Sequence, residues 1–193
     1  MIANIAEICS YQVFFYDDTY PQIQAVEHWQ IVGTFADLLE SSDTVDAVVV
    51  AIGDNGVRAR KGEALISAGA NLISLIHPSA VVSGYAEIGH GTVVFPGAVI
   101  NAFARIGNHV IINTGAIIEH DCEVGDAVHV SPNSALGGKV IIDDFAWIGI
   151  GSCVCPSVRI GKNTIVGAGS NVIRDIPPNV IAYGSPARAI TKR

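Results

Sequence analysis

Branched aliphatic residues recur at every sixth position of the chain between residues 82 and 172, without an insertion or a miss. The sixteen positions are Val82, Ile88, Val94, Ile100, Ile106, Ile112, Ile118, Val124, Val130, Leu136, Ile142, Ile148, Val154, Ile160, Val166 and Val172. A small or β-branched residue follows four positions after each of them. A period of six matches neither the 3.6-residue period of a helix nor the two-residue period of a strand. The pattern therefore indicates a structural repeat.

Each group of six residues, called a hexad here, predicts a short extended segment with its aliphatic side chain pointing inward, followed by a turn. Three segments make a coil of about 18 residues, and successive coils stack as parallel strands about 4.8 Å apart. Gly, Asn and Asp recur at the turns, where they tolerate a positive φ. We therefore predict a parallel β-helix with stacked aliphatic side chains inside it.

The chain before the repeat has a different pattern, in which short helices alternate with extended segments. The predicted helical segments are residues 2–10, 35–41 and 57–68, and the extended ones are 11–16, 31–34, 45–52 and 71–76. This alternation is typical of a parallel α/β unit. We predict an α/β domain at residues 1–76, followed at residues 77–193 by the β-helix and a C-terminal tail.

Composition excludes several classes of function. The formal net charge of −7 argues against a nucleic-acid partner, because phosphate contacts need clustered Lys and Arg. No apolar run approaches the 18 residues of a membrane span, and the first residues lack the pattern of a secretory leader. The four cysteines form no disulfide framework. We therefore expect a cytoplasmic protein that contacts no membrane.

The hexads, with an aliphatic residue, often a glycine next, and a small residue at the fifth position, resemble the hexapeptide repeat of left-handed β-helix acyltransferases. Residues 1–76 resemble the small Rossmann-like, nucleotide-sugar-binding domain of the sialic acid O-acetyltransferase and UDP-N-acetylbacillosamine N-acetyltransferase group. The resemblance implies left-handed coiling and a homotrimer. The first strand and Gly-rich turn of that domain are missing here, so either the start lies upstream or the strands near Val13 and Val48 re-pair or loosen.

His120 is the candidate catalytic residue. It is third in its hexad, which predicts a corner position with an outward side chain. Corner positions repeat every 18 residues, so Ala102 precedes His120 on the same edge and Gly138 follows it. Acetyl transfer needs a base with a pKa near 7 and a hydrogen-bond donor for the oxyanion. We predict that His120 is the base and that the Gly138 backbone N–H is the donor.

A carboxylate beside the base orients the ring and favours the imidazolium. Asp121 is the first candidate, and Glu119 and Glu123 are alternatives because spacing alone does not fix the geometry of the corner. The resemblance favours the His120–Asp121 pair. It also implies substrate contacts for Asn113 and for His129, which in the family approaches from the adjacent subunit or contacts the substrate.

Four residues of the first domain are candidates for binding the nucleotide. Asp17 and Asp18 follow the predicted segment 11–16, which corresponds to the second strand of the resembled domain, where that group places acidic residues near the nucleoside, but two turn-forming carboxylates explain them equally well. Gly53 ends a strand at the side where open α/β sheets bind ligands. Arg58 is a weaker candidate for an anionic group, since a solvated helix face explains it more simply. His109 is expected at the surface.

The corner that holds His120 and Gly138 continues to Arg174, two coils or roughly 10 Å further along the stack. This edge would accommodate an extended pantetheine arm. The tail at residues 183–188 resembles the Gly-x-Pro-Ala-Arg ending that these enzymes use against adenine, whereas Lys192 and Arg193 are expected in a solvated end. The predicted coenzyme contacts are Gly149, Gly151, Gly167, Gly169, Arg174, Gly184, Pro186 and Arg188.

These features and the resemblance together predict an acetyl-CoA-dependent N-acetyltransferase that acts on a nucleotide-linked amino sugar without a metal. O-acetylation of a sialic-acid-like sugar and a non-catalytic binding module are the alternatives. A zinc lyase on the same coil is disfavoured, because it needs a histidine pair about five residues apart and no His-x4-His occurs.

Overall fold

The computed structural model describes residues 1–192; Arg193 lies outside the described residues, as do the side chains of residues 191 and 192. The helices are α1 (Ile2–Ile8), α2 (Phe35–Glu40) and α3 (Asn55–Ser67), with a 3₁₀ turn at Ser42–Thr44. The first strands are β1 (Phe15–Tyr16), β2 (Ala25–Val26) and β3 (Trp29–Gly33). None of the helices in residues 1–192 has the length and apolar composition needed to cross a bilayer.

The remaining strands form the coil and its tail. They are β4 (Leu75–Ile76), β5 (Val81–Val82), β6 (Glu87–Ile88), β7 (Val93–Val94), β8 (Val99–Ile100), β9 (Arg105–Ile106), β10 (Ile111–Ile112), β11 (Ile117–Ile118), β12 (Glu123–Val124), β13 (His129–Val130), β14 (Ala135–Leu136), β15 (Ile141–Ile142), β16 (Trp147–Ile148), β17 (Cys153–Val154), β18 (Arg159–Ile160), β19 (Ile165–Val166), β20 (Asn171–Val172), β21 (Val180–Gly184) and β22 (Ala187–Lys192).

The coil has three faces, each a sheet of parallel strands, as the six-residue period predicts. One sheet runs from β4 through β7, β10, β13, β16 and β19 to the tail strands, the second from β5 to β20, and the third from β6 to β18. Each strand pairs with the strand one coil away, so that Ile117 lies opposite Ala135 and Glu123 opposite Ile141. The pairing offset of 18 residues confirms three hexads per coil. Strand β4, at the junction with the first region, already belongs to the coil.

The interior of the coil is filled by the stacked aliphatic side chains, which are almost completely buried from Val94 to Val172. The small residues at the fifth hexad position also point inward, and the hydroxyls of the serines among them form hydrogen bonds. Ser134 Oγ donates to the Gly149 carbonyl and Ser152 Oγ to the Gly167 carbonyl, each at 2.9 Å. Buried polar groups are thereby paired, and the turns of neighbouring coils are tied together.

The region before the coil forms less sheet than the sequence predicts. Strands β1, β2 and β3 make a small separate sheet, in which β1 and β3 are parallel. The predicted strand at 45–52 is reduced to a single bridge between Val48 and Leu72, and the one at 11–16 to two residues. Within residues 1–192 no strand pairs with both of these pieces, so each lacks the neighbour that would extend its ladder.

Helix α3 packs against the coil through a buried arginine. Arg58 is fully buried, so the expectation of a solvated helix face is wrong. Its Nε donates to the His109 carbonyl at 2.7 Å, and its Nη2 donates to the Ala127 carbonyl at 3.1 Å. The other nitrogen, Nη1, donates to the carbonyls of Ile52 and Gly53 at 3.0 Å. Arg58 thus joins α3 to two successive coils, and its guanidinium donates to four backbone carbonyls and to Asn55 Oδ1.

Candidate active site

His120 lies at the corner between β11 and β12 with an exposed side chain. Its carbonyl accepts a hydrogen bond from the Lys139 N–H at 2.9 Å, which fixes this turn on the equivalent turn of the next coil. The aliphatic Ile118 two residues earlier is completely buried. The imidazole therefore projects outward from a backbone held on one side by the core and on the other by the next coil.

Asp121 is the carboxylate that pairs with the His120 ring. Its Oδ2 lies 2.8 Å from His120 Nδ1, in a hydrogen bond and ion pair. Asp121 has a φ of 58°, a left-handed conformation that aspartate tolerates better than most residues. The two alternatives have other partners, because Glu119 accepts from Asn101 and Glu123 meets Arg105.

Gly138 lies directly beside the ring, at the same corner one coil further on. A Cβ added to Gly138 would lie 2.6 Å from His120 Nε2 and 2.7 Å from Cε1, so a larger residue here would displace the ring. Within residues 1–192, the Gly138 N–H donates to no protein acceptor. With Nδ1 held by Asp121, the free nitrogen Nε2 faces a backbone with an unused donor. A base and a hydrogen-bond donor are thus placed side by side at one exposed corner.

The glycines predicted for the coenzyme fall into two kinds. A Cβ at Gly149 would contact the backbone of Val166 and Ala168, and one at Gly167 would contact Tyr183, so close packing explains these two. Gly151 and Gly169 have a φ of 65° and 64°, and a Cβ there would meet nothing within 4 Å. The second pair leaves open backbone on two successive coils.

The predicted tail contacts lie on the hairpin of β21 and β22, which pairs with the last coil. Gly184 has a φ of 111° and lies in β21, opposite Ala187 of β22. Arg188 is exposed and its Nη1 donates to the Ala187 carbonyl at 2.9 Å, and Arg174 is exposed on the last turn of the coil. Pro186 is exposed as well. These residues form a solvent-accessible, basic end of the coil.

Asn113 and His129 are adjacent, on a different face from His120. Asn113 Nδ2 lies 3.1 Å from His129 Nε2, and the imidazole stacks on Trp147 with ring centroids 5.0 Å apart. His129 is 9% exposed, and its Nδ1 has no partner within residues 1–192. Burial, and secondly the charge of Arg58, lowers the pKa of His129 to about 4. This histidine is therefore neutral at physiological pH.

The lowered pKa of His129 predicts a loss of stability in acid. His129 takes up a proton near pH 6.5 in the unfolded chain but only near pH 4 in the folded chain. The free energy of unfolding therefore decreases as the pH falls from 6.5 to 4. Relative to a His129→Gln variant, the native protein should lose up to about 3 kcal/mol between pH 6.5 and 4. Urea unfolding at several pH values measures this difference.

The exposed His28, replaced by glutamine, is the matched control, and its difference from the native protein should show no such trend. A constant difference between the native protein and His129→Gln from pH 6.5 to 4 would contradict the lowered pKa.

The first region gives its predicted ligand residues mainly local partners. Asp17 accepts hydrogen bonds from the N–H and hydroxyl of Thr19, which lower the pKa of this carboxyl. Asp18 accepts from the Phe35 N–H at the start of α2 and from Lys61. Both carboxylates thus have hydrogen-bond partners within the first region. Around Gly53 a Cβ would meet nothing within 4 Å.

Two aromatic residues on the corner that holds His120 and Asp121 were not singled out by the sequence pattern. Tyr85 and Phe103 precede Asp121 by two coils and one coil, and their rings are in tilted contact, with centroids 5.5 Å apart. Both are exposed, at 73% and 59%. The 18-residue spacing was the signal that could have found them. His109, in contrast, is only 2% exposed, so the expectation that it lies at the surface is wrong.

Comparisons with known proteins agree with both parts of the chain. The sequence model of the PglD N-terminal domain matches residues 1–65, and that of the bacterial transferase hexapeptide (six repeats) matches residues 103–138. The solved structure of PerB from Caulobacter crescentus, in complex with CoA and GDP-perosamine, is similar with 40% identity and a TM-score of 0.93. The match covers 98% of this chain and 90% of that one. The chain belongs to the hexapeptide-repeat sugar acetyltransferases.

Further members of this acetyltransferase family support the assignment. The acetyltransferase domain of PglB from Neisseria gonorrhoeae, in complex with acetyl coenzyme A, is 33% identical with a TM-score of 0.94, covering 98% of this chain and 92% of that one. The coil is thus a left-handed parallel β-helix, as the resemblance implies. Perosamine N-acetyltransferase from Caulobacter has also been solved with one histidine replaced by asparagine or alanine, in complex with the same two ligands.

The curated relatives match only part of this acetyltransferase. Galactoside O-acetyltransferase from Lactococcus lactis is 56% identical over 48 residues, which are 25% of this chain and 23% of the relative. A second relative, galactoside O-acetyltransferase from Escherichia coli, is 49% identical over 51 residues, 26% of this chain and 25% of the relative. The matches span about a quarter of the length of these curated relatives. The sequence similarity between this chain and these relatives is therefore confined to a short stretch of each molecule.

Proposed function

We propose that this acetyltransferase moves an acetyl group from acetyl-CoA to the amino group of a nucleotide-linked amino sugar. The observation that carries the proposal is the His120–Asp121 pair, whose free Nε2 faces the unhindered backbone of Gly138. The acceptor is inferred from the relatives that match over nearly the whole chain, one of which holds GDP-perosamine. O-acetyltransferases match only a quarter of the chain, so a sugar amine is favoured over a hydroxyl.

The reaction is a direct transfer between two bound substrates. The amine nitrogen attacks the thioester carbonyl carbon while His120 Nε2 takes a proton from it, and Asp121 stabilises the imidazolium on the other side of the ring. The carbonyl oxygen becomes an oxyanion within reach of the Gly138 N–H. Collapse of the tetrahedral intermediate breaks the C–S bond, and the leaving thiolate takes the proton back from His120. The amide and free coenzyme A are released, and no step uses a metal.

Coenzyme A is proposed to lie along the edge beyond Gly138. Gly151 and Gly169 leave open backbone at the adjacent corner of the coil, between β16 and β17 and between β19 and β20, and Gly149 and Gly167 keep neighbouring coils closely packed. The exposed cations Arg174 and Arg188 are suited to its phosphates, and Gly184 and Pro186 shape the hairpin beside them. Acetyl-CoA is therefore a co-substrate held at the C-terminal end of the coil.

The assembly is proposed to be a homotrimer in the cytoplasm. His129 is neutral, and only its Nε2 has a hydrogen-bond partner, Asn113, within residues 1–192. Together with the partly exposed Trp147, it suits an interface at which a neighbouring subunit completes the substrate site. Gly53 and the loop shaped by Asp17 and Asp18 would face the nucleotide. The four free cysteines in the described chain are compatible with a reducing compartment.

Substitution of Gly138 by alanine tests the proposed site. The added methyl group would lie 2.6 Å from His120 Nε2, so the ring must move away from the amine. A displacement of about 1 Å from the reacting atoms costs on the order of 10²-fold in rate. We therefore expect thiol release from acetyl-CoA, with GDP-perosamine as acceptor, to fall about 100-fold in the Gly138→Ala variant.

Gly84 provides a matched control on the same edge, three coils before Gly138, because a Cβ there meets nothing within 4 Å. Gly84→Ala should retain native activity. Native activity in Gly138→Ala, with its fold intact by circular dichroism, would rule out the proposed placement of the reaction.

A further inference from the structure

We propose that Glu63, His90 and His109 form a binding site for Zn²⁺ between helix α3 and the coil. One ligand atom from each of the three residues lies within 4.8 Å of the other two. Glu63 is on α3, whereas His90 and His109 are on successive coils, joined by a hydrogen bond from the His109 N–H to the His90 carbonyl at 2.8 Å. The three side chains thus converge from separate parts of the fold.

The His109 ring is held in a recess that two glycines provide. A Cβ added to Gly62 would lie 2.4 Å from the ring, and one added to Gly91 would lie 2.7 Å from Nδ1. Gly62 immediately precedes Glu63, and Gly91 immediately follows His90. The segments of α3 and of the coil that carry Glu63 and His90 therefore also leave room for the His109 imidazole and fix its position.

The two nitrogens of the His109 ring have different surroundings. His109 is 2% exposed, and within residues 1–192 its Nδ1 has no partner. Its Nε2 lies 2.8 Å from Glu63 Oε1, and the His90 ring approaches edge-on with centroids 5.3 Å apart. Nε2, which faces Glu63, is therefore the nitrogen that would coordinate the ion, whereas Nδ1 lies on the side of Gly62 and Gly91.

The donor set suits zinc. Two imidazoles and one carboxylate, with a fourth position left to water, is a common zinc environment, with ligand distances of about 2.0–2.2 Å. Tetrahedral coordination needs ligand atoms about 3.4 Å apart. Glu63 and His90 have exposed side chains and can close that gap around the fixed His109. A bound ion would fasten α3 to the coil, apart from the His120 corner and independent of the transfer reaction.

Titration of the metal-free protein with ZnCl₂, in competition with a chromophoric chelator, tests this site. The background carries Cys153→Ser and Cys155→Ser, because exposed thiols also bind zinc. We expect one Zn²⁺ per chain and a rise in thermal midpoint on binding. The variants His90→Gln and Glu63→Gln should each lower the affinity at least about 10-fold and abolish most of that rise.

His28 and Glu7 supply the control, since they form an exposed histidine–carboxylate pair 3.2 Å apart. His28→Gln should leave zinc affinity unchanged. Failure to bind one equivalent, or equal affinity in the native protein and His90→Gln, would overturn the site. Acetyl transfer is not part of the readout, so this outcome is separate from any failure of the proposed function.

Discussion

Replacement of His120 by alanine is expected to lower kcat for acetyl transfer about 10²–10⁴-fold, the usual contribution of a general base. The native ring presents Nε2 beside Gly138 while Asp121 holds Nδ1 at 2.8 Å. Without the ring, the attacking amine has no group positioned to take its proton. Thiol release from acetyl-CoA, with GDP-perosamine as acceptor, measures the effect.

The fold should survive this change, because His120 is exposed and its carbonyl, not its ring, ties the corner to the next coil. The thermal midpoint of His120→Ala is therefore expected to match that of the native protein. The exposed His28, substituted in the same way, should keep full activity. Equal thiol release by His120→Ala and the native protein would show that this histidine is not the base.

The coil and its corners could be predicted from sequence because the interior imposes one constraint at every turn. Only a branched aliphatic fills the inward position, so the pattern survives from Val82 to Val172. The 18-residue offset then places any two residues of one corner together, as it does His120 and Gly138. Periodicity thus determines position along the edge without knowledge of side-chain conformation.

The pairing of Asp121 with His120 could not be derived in the same way. Glu119, Asp121 and Glu123 surround the ring in sequence, and the choice depends on backbone conformation at the corner. The left-handed φ of 58° at Asp121 and the separate partners of the two glutamates are properties of the folded turn. Spacing carries no information on either.

The first region shows where sequence reasoning fails for a different reason. The buried environments of Arg58 and His109 arise from contacts between α3 and the coil. Two of the carbonyls that accept from Arg58, those of His109 and Ala127, lie 51 and 69 positions later in the chain. A charged residue on a short helix is usually exposed, and no local pattern marks the exception.

Replacement of Arg58 by methionine is expected to destabilise the protein by about 3–5 kcal/mol. Methionine fills a similar volume but leaves the buried carbonyls of His109 and Ala127 without their donor. The side-chain oxygen of Asn55 also loses a partner, at 2.8 Å in the native protein. Thermal unfolding at fixed protein concentration should show a midpoint about 10 °C lower.

Arg60→Met is the matched control, since Arg60 is exposed on the same helix, and its effect should stay within about 0.5 kcal/mol. The pKa of His129 gives a second test of Arg58→Met, one that depends on the charge of Arg58 and not on its packing. The charge of Arg58 contributes to the lowered pKa of His129, so its removal should raise that pKa and move the acid-sensitive window upward from pH 4. An Arg58→Met variant that unfolds at the native temperature would show that the carbonyls of the coil do not depend on this side chain.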